Sequence, residues 1–319
     1  MALLTPMTLD EARAIGSSYA VTVTSFEALA AGSVNSNFRL ETEERGRLFV
    51  RVYEEQGDEG ARAELGLVRE LSALGVPTPL PLARPDGAVT AEHRGRPVGV
   101  YPWVDGEILC QARVDVDAVG KLGVALGRLH LASTKVSRVP AGRFDVRSLL
   151  GRLDRVEATS ETYAPEARRI RAKLQSYLAR AAGDLPRGLI HGDLFKDNVL
   201  WQGQEIAALI DFESASAGVF AYDLMVCVHA WCYADAFRPE LVRALLAGYA
   251  SVRPLTRQEA RGLVDQGALA ALRFATTRIT DYSLRAAPGQ PPVRDYKRFL
   301  ARLDALEAGI LEPALAAIG

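Results

Sequence analysis

The stretch from Leu189 to Glu213, Leu-Ile-His-Gly-Asp-Leu-Phe-Lys-Asp-Asn-Val-Leu-Trp-Gln-Gly-Gln-Glu-Ile-Ala-Ala-Leu-Ile-Asp-Phe-Glu, constrains this chain more than any other. Two short apolar runs, Val199 to Trp201 and Ile206 to Ile210, flank Gln202-Gly203-Gln204, which predicts a hairpin with glycine at the turn. Antiparallel pairing about that turn carries Asn198 and Asp211 to one end of the hairpin. Asp193 lies five residues before Asn198 on a segment too polar for a strand, so it can project into the same space. A carboxylate that accepts a proton, beside an amide oxygen and a second carboxylate suited to a hard cation, is the set that phosphoryl transfer from a magnesium nucleotide requires. His191 reads as a strut of the loop. The competing reading of the stretch is a surface hairpin with incidental acids.

The rest of the chain accommodates such a site. At 319 residues and 49% hydrophobic content it is long enough for two domains, each with a core. Its 38 basic and 39 acidic residues nearly cancel, which argues against nucleic acid or an anionic membrane as partner. Cys110, Cys227 and Cys232 have no paired spacing, and the N-terminus lacks the basic and apolar regions of an export signal. The most apolar stretch, Val219 to Ala234, is broken by Asp223 and His229. A cytoplasmic protein without a membrane span is expected.

In chain order, Thr8 and Glu11 predict a capping box at the start of a short helix. Strand-like runs at Val21 to Leu29, Asn37 to Thr42 and Arg47 to Tyr53 predict a three-stranded meander, with Gly32, Ser33 and Asn35 in its first loop able to offer backbone N–H groups to a polyphosphate. A helix follows from Glu59 to Leu74, with Ala63, Leu67, Leu71 and Leu74 as its apolar positions and Gly75 as its stop. A final strand pair is expected at Ala88 to Glu92 and Arg96 to Trp103, closing a β-rich lobe at residues 1–104. Residues 105–319 read as a larger, nearly all-helical lobe, with helices at Asp117 to Leu131, near 147 to 157, 164 to 182, Pro239 to Val252, Thr256 to about Asp281 and Tyr296 to Ile310. His130 is expected to be structural. The fold class is α+β with two lobes.

The spacing His191-x-Asp193-x-x-x-x-Asn198, followed by a strand ending in Asp211-Phe212-Glu213, resembles the catalytic and metal-binding loops of the protein-kinase-like fold. The His-Gly-Asp version is similar to that of small-molecule kinases for aminoglycosides, choline and homoserine. This resemblance implies ATP and Mg²⁺ as cofactors, Asp193 as the base, Lys196 as a cation for the transferred phosphoryl group, and Asn198 and Asp211 as metal ligands. It further implies that Arg51 stands where the family keeps a lysine for the phosphates, that Glu64 matches the family's helix glutamate, and that adenine lies against residues 100–104, Tyr101 and Val104 among them. Asp223, in Tyr222-Asp223-Leu224, would brace the catalytic loop. The segments Cys227 to Tyr233, Gly248 to Leu255, Ala271 to Tyr282, Thr5-Pro6-x-Thr8 and Asn35 to Phe38 resemble bacterial homoserine kinases more narrowly, whereas Gly192 and the run Glu213 to Gly218 depart from their pattern. The implied acceptor is a small hydroxyl compound, homoserine first, with Arg278 on its carboxylate, Asp281 near its ammonium or bracing Arg278, and Trp231 in the acceptor site. Another amino alcohol, an aminoglycoside, a protein hydroxyl, or nucleotide binding without turnover remain open alternatives.

Overall fold

The computed structural model describes residues 4–30, 34–142, 144–181, 184–286 and 294–315. Thr8 and Glu11 form the expected capping box and start α1 (Leu9–Ser18). The meander is present as β1 (Val23–Leu29), β2 (Ser36–Thr42) and β3 (Gly46–Val52), and it pairs on through β5 (Arg96–Pro102) to β4 (Ala91–His93) in an antiparallel sheet of order β1-β2-β3-β5-β4. Alternation puts Phe38, Leu40, Leu48, Val50, Val98 and Val100 into one cluster with Ile15 and Tyr19 from the α1 region. The Gly32 and Ser33 positions lie outside the described residues.

Helix α2 (Asp58–Ala73) forms where periodicity predicts it and stops before Gly75, whose φ is +84°. Its inward face differs from the expected one. Leu67 and Leu71 are buried as expected, but Ala63 is exposed and Leu74 is 37% exposed; the remaining buried positions are Ala61, Glu64, Leu65 and Val68. The helix is turned so that a glutamate points inward, where Arg51, Tyr53 and Gln56 give Glu64 polar partners that offset part of the cost of burying it. Leu65, Val68 and Leu71 join Leu122, Trp201 and Trp231 in a cluster that runs on into the helical lobe.

The helical lobe contains α3 (Val116–Ala132), α4 (Val146–Thr159), α5 (Ala164–Arg180), α6 (Phe220–Trp231), α7 (Pro239–Val252), α8 (Arg257–Arg278) and α9 (Lys297–Glu307). Helices α3 and α7 cross almost backbone to backbone: a Cβ on Gly248 would stand 2.1 Å from the Gly120 carbonyl oxygen, and one on Gly123 would stand 2.2 Å from that of Leu245. Two ribbons interrupt the helices, one of them expected. The expected hairpin is β7 (Val199–Gln202) with β8 (Glu205–Leu209), turning at Gly203 with φ +62°. The other ribbon pairs β6 (Arg187–Ile190) with β9 (Ser216–Val219), and its four-residue strands are too short to carry a readable alternation. The expected helix from Thr256 to about Asp281 instead ends at Arg278, followed by a π-turn over Ile279–Ser283.

Candidate active site

The catalytic-loop segment is held by its own backbone and by one buried carboxylate. The N–H groups of His191 and Gly192 each donate to Asp223 at 2.8 Å, and the His130 ring lies 3.1 Å from the same carboxylate. Burial works against the Asp223 charge, and the hydrogen bond to His130 leads the interactions that hold its carboxyl below the usual range. Gly192 has φ +75°, a conformation that L side chains adopt only with strain. His191 reaches the Ile210 carbonyl at 3.1 Å, tying the loop to the end of the hairpin. His130 is fully buried against Tyr249 and Asp223 in the structural role expected of it.

Within this frame the Asp193 carbonyl accepts from Phe195 N–H and from Asn198 Nδ2, both at 2.7 Å, so the loop curls back on itself. The Asp193 side chain is 32% exposed, with Arg273 Nη1 3.3 Å from Oδ1. Burial pushes the Asp193 carboxyl upward, opposed by Arg273 and His191. Arg273 is 4% exposed and packs its guanidinium 3.9 Å from the Phe274 ring and 4.1 Å from that of Phe144. Sequence spacing separates Arg273 from Arg278 but contains nothing that aims Arg273 at Asp193.

Asp211 has φ +64° and ψ +69°, a left-handed conformation that is costly for a residue with a Cβ and that recurs at functional sites. Its carboxylate lies 3.3 Å from Arg51, which also stands 3.6 Å from Glu64, so β3, α2 and the end of the hairpin meet at one guanidinium. Burial opposes the charge on Asp211, and Arg51 overcomes it, holding the carboxyl below its usual range. Glu64 is raised from 4.5 to about 7, by burial against the pull of Arg51. Arg51, Glu64, Tyr101, Val104 and Asp211 all line one cavity of about 390 Å³ between the sheet and the hairpin, with Phe49, Trp103, Leu200 and Ile210 as apolar walls. Arg51 Nε is buried there without a hydrogen-bond partner. Asn35 bridges the same region, receiving Glu54 N–H at 3.1 Å and donating to Glu213 at 3.2 Å.

The donor set fits a hard cation. Because Asn198 Nδ2 donates to a backbone carbonyl, Oδ1 is its remaining acceptor, and the backbone pairing of Ile210 N–H with Asn198 O at 3.0 Å keeps it beside Asp211. Among the described residues no group of three or more His, Cys, Asp or Glu side chains could hold a metal alone. One amide oxygen and one carboxylate, completed by water and phosphate oxygens, suit Mg²⁺.

The residues expected on the acceptor side are more scattered. Trp231 is fully buried with Nε1 donating to Leu194 O at 2.9 Å, so it braces the loop from the core and cannot touch an acceptor. Asp281 pairs with Arg152 at 2.6 Å and does not brace Arg278, because the π-turn carries it off the Arg278 face. Arg278 donates to Asp295 O at 2.9 Å. Lys196 turns away from the 390 Å³ cavity to the Gln111 side chain and the Ala230 carbonyl, and shares a different cavity with Arg278.

Comparison with known proteins places the chain in a family. Residues 25–255 match the phosphotransferase enzyme family. The chain is 35% identical to the homoserine kinase of Agrobacterium fabrum over 310 residues, covering 95% of each chain, and 38% identical to that of Methylocella silvestris over 266 residues, covering 82% and 81%. Among solved structures, an amicoumacin kinase in complex with AMP-PNP, Ca²⁺ and its antibiotic superposes with a TM-score of 0.69 at 17% identity, over 91% of this chain and 88% of that one. A choline/ethanolamine kinase family protein from Mesorhizobium loti superposes at 0.64 with 20% identity, over 98% and 99%. The two-lobed architecture is therefore the protein-kinase-like fold, and the chain belongs to the phosphotransferase enzyme family.

Proposed function

We propose that this protein transfers the γ-phosphoryl group of ATP to the hydroxyl of L-homoserine, with residues 1–104 as the nucleotide lobe and 105–319 carrying the catalytic loop. The observation that supports the reading is the set of hydrogen bonds that ties the Asp193 segment to Asn198 and to the hairpin end at Ile210, next to Asp211, in a chain matching homoserine kinases along most of its length.

In this reading the apolar walls at Phe49, Tyr101, Leu200 and Ile210 receive the adenine, and Arg51, on the wall of the same cavity, meets a phosphate. Asn198 and Asp211 hold Mg²⁺, which supplies charge neutralisation at the phosphates when bound. Asp193 orients the acceptor hydroxyl and takes its proton as the oxygen attacks. Burial pushes its carboxyl up, which makes it a better proton acceptor than an ordinary aspartate, and Arg273 opposes that rise.

The test is an ADP-release assay with L-homoserine, serine, threonine, choline, methylthioribose and an aminoglycoside. Homoserine should have the highest kcat/KM. A higher value for any other acceptor overturns the homoserine assignment and leaves the phosphotransferase reading standing.

A further inference from the structure

A second cavity, of about 490 Å³, is lined by Phe195 and Lys196 of the loop, by Tyr233 and Asp235 beyond α6, and by Arg278, Arg298 and Arg302. Four cations therefore share one space. The hydrogen bonds that fix them go to neutral acceptors: Lys196 to the Gln111 side chain and the Ala230 carbonyl, Arg278 to the Asp295 carbonyl, and Arg302 to the carbonyls of His229 and Arg298. None of the four forms an ion pair among the described residues, and Arg302 is only 7% exposed. Burial and the neighbouring arginines Arg302, Arg294 and Arg298 bring Arg278 down to about 10. Like charges gathered in a partly desolvated space repel one another, and a bound anion would relieve that repulsion.

Aromatic rings order the forks in advance. Arg302 lies 4.1 Å from the Tyr233 ring, and Arg278 lies 4.4 Å from the Phe299 ring. Asp235 is the one carboxylate among the lining residues described. A simple phosphate would leave Asp235 without a counter-charge, and a polycationic aminoglycoside would meet the four cations; a zwitterion offers a partner to both signs of charge. Lys196 follows Asp193 by three residues, so their Cα atoms are at most about 11 Å apart.

We propose, resting on the homoserine reading above, that this cavity is the subsite for the α-carboxylate and α-ammonium groups of an amino-acid acceptor. Lys196, Arg278 and Arg302 surround the carboxylate, and Asp235 faces the ammonium. The subsite makes the enzyme select an amino acid over the amino alcohol that lacks the carboxylate.

The experiment compares kcat/KM on L-homoserine and on 3-aminopropan-1-ol, which is homoserine without its carboxylate. It uses wild type, Arg278→Ala, and Arg298→Ala, whose exposed side chain leaves folding intact; thermal melts and the KM for ATP are recorded for each. The homoserine preference should fall about 10- to 100-fold in Arg278→Ala and by a smaller factor in Arg298→Ala. A preference unchanged in the folded variants, with wild type still phosphorylating homoserine, overturns the subsite alone. A wild-type enzyme that does not turn over homoserine overturns the homoserine reading and the subsite together.

Discussion

At the scale of single residues, Asp193 and Arg51 have different tasks, and substitutions separate them. In the proposed mechanism Asp193→Asn preserves shape and removes the proton acceptor, so kcat should drop by several decades while nucleotide affinity holds. Single-turnover kinetics beside a nucleotide-binding titration check this, and near wild-type kcat would remove Asp193 from the chemistry. Arg51 instead faces the cavity with Nε unpartnered. Arg51→Ala should raise the KM for ATP roughly 10- to 100-fold, the loss of one charge-assisted contact. Unmoved ATP kinetics would confine Arg51 to bridging Glu64 and Asp211.

At the scale of elements, the loop depends on how closely α3 and α7 approach. His130 on α3 and Tyr249 on α7 are 2.7 Å apart, and His130 in turn meets the carboxylate that holds His191 and Gly192. Gly248 and Gly123 permit that approach, since a methyl group at either would press into backbone. Gly248→Ala should destabilise the fold by about 1–3 kcal/mol, the usual range for overpacking a core, and lower kcat more than the KM for ATP. Urea denaturation with steady-state kinetics measures both, and a variant as stable as wild type would mean that the helices part without cost.

At the scale of the whole molecule, the two lobes meet through Arg51 with Asp211 and Asn35 with Glu213 as well as through the shared apolar cluster around α2. Glu64 makes that junction sensitive to pH. Its carboxyl is raised to about 7 in the fold, so between about 4.5 and 7 the folded chain keeps a proton that the unfolded chain has released. Stability from this group is full below that window, falls as pH rises through it, and levels off above. Glu64→Gln should flatten this part of the profile, as read from denaturation midpoints across pH. An identical slope in the variant would place the titration elsewhere.

The local parts of this protein were legible in its residues alone. The Thr8 cap, the Gly203 turn and the helical runs follow from neighbours a few residues apart, so their periods and cap residue were readable. The hairpin that joins Asn198 to Asp211 was legible for the same reason: one tight turn fixes its register. What those elements face is set by packing across the chain. Glu64 turns inward because Arg51 and Tyr53 await it, Arg273 reaches Asp193 across 80 residues, and Asp281 leaves Arg278 for Arg152 on α4. The clustering of Lys196 and Arg278 with Arg298 and Arg302 was equally hidden. Such contacts join residues far apart in the chain, and neither period nor spacing encodes them; packing of the helices sets which charges are neighbours.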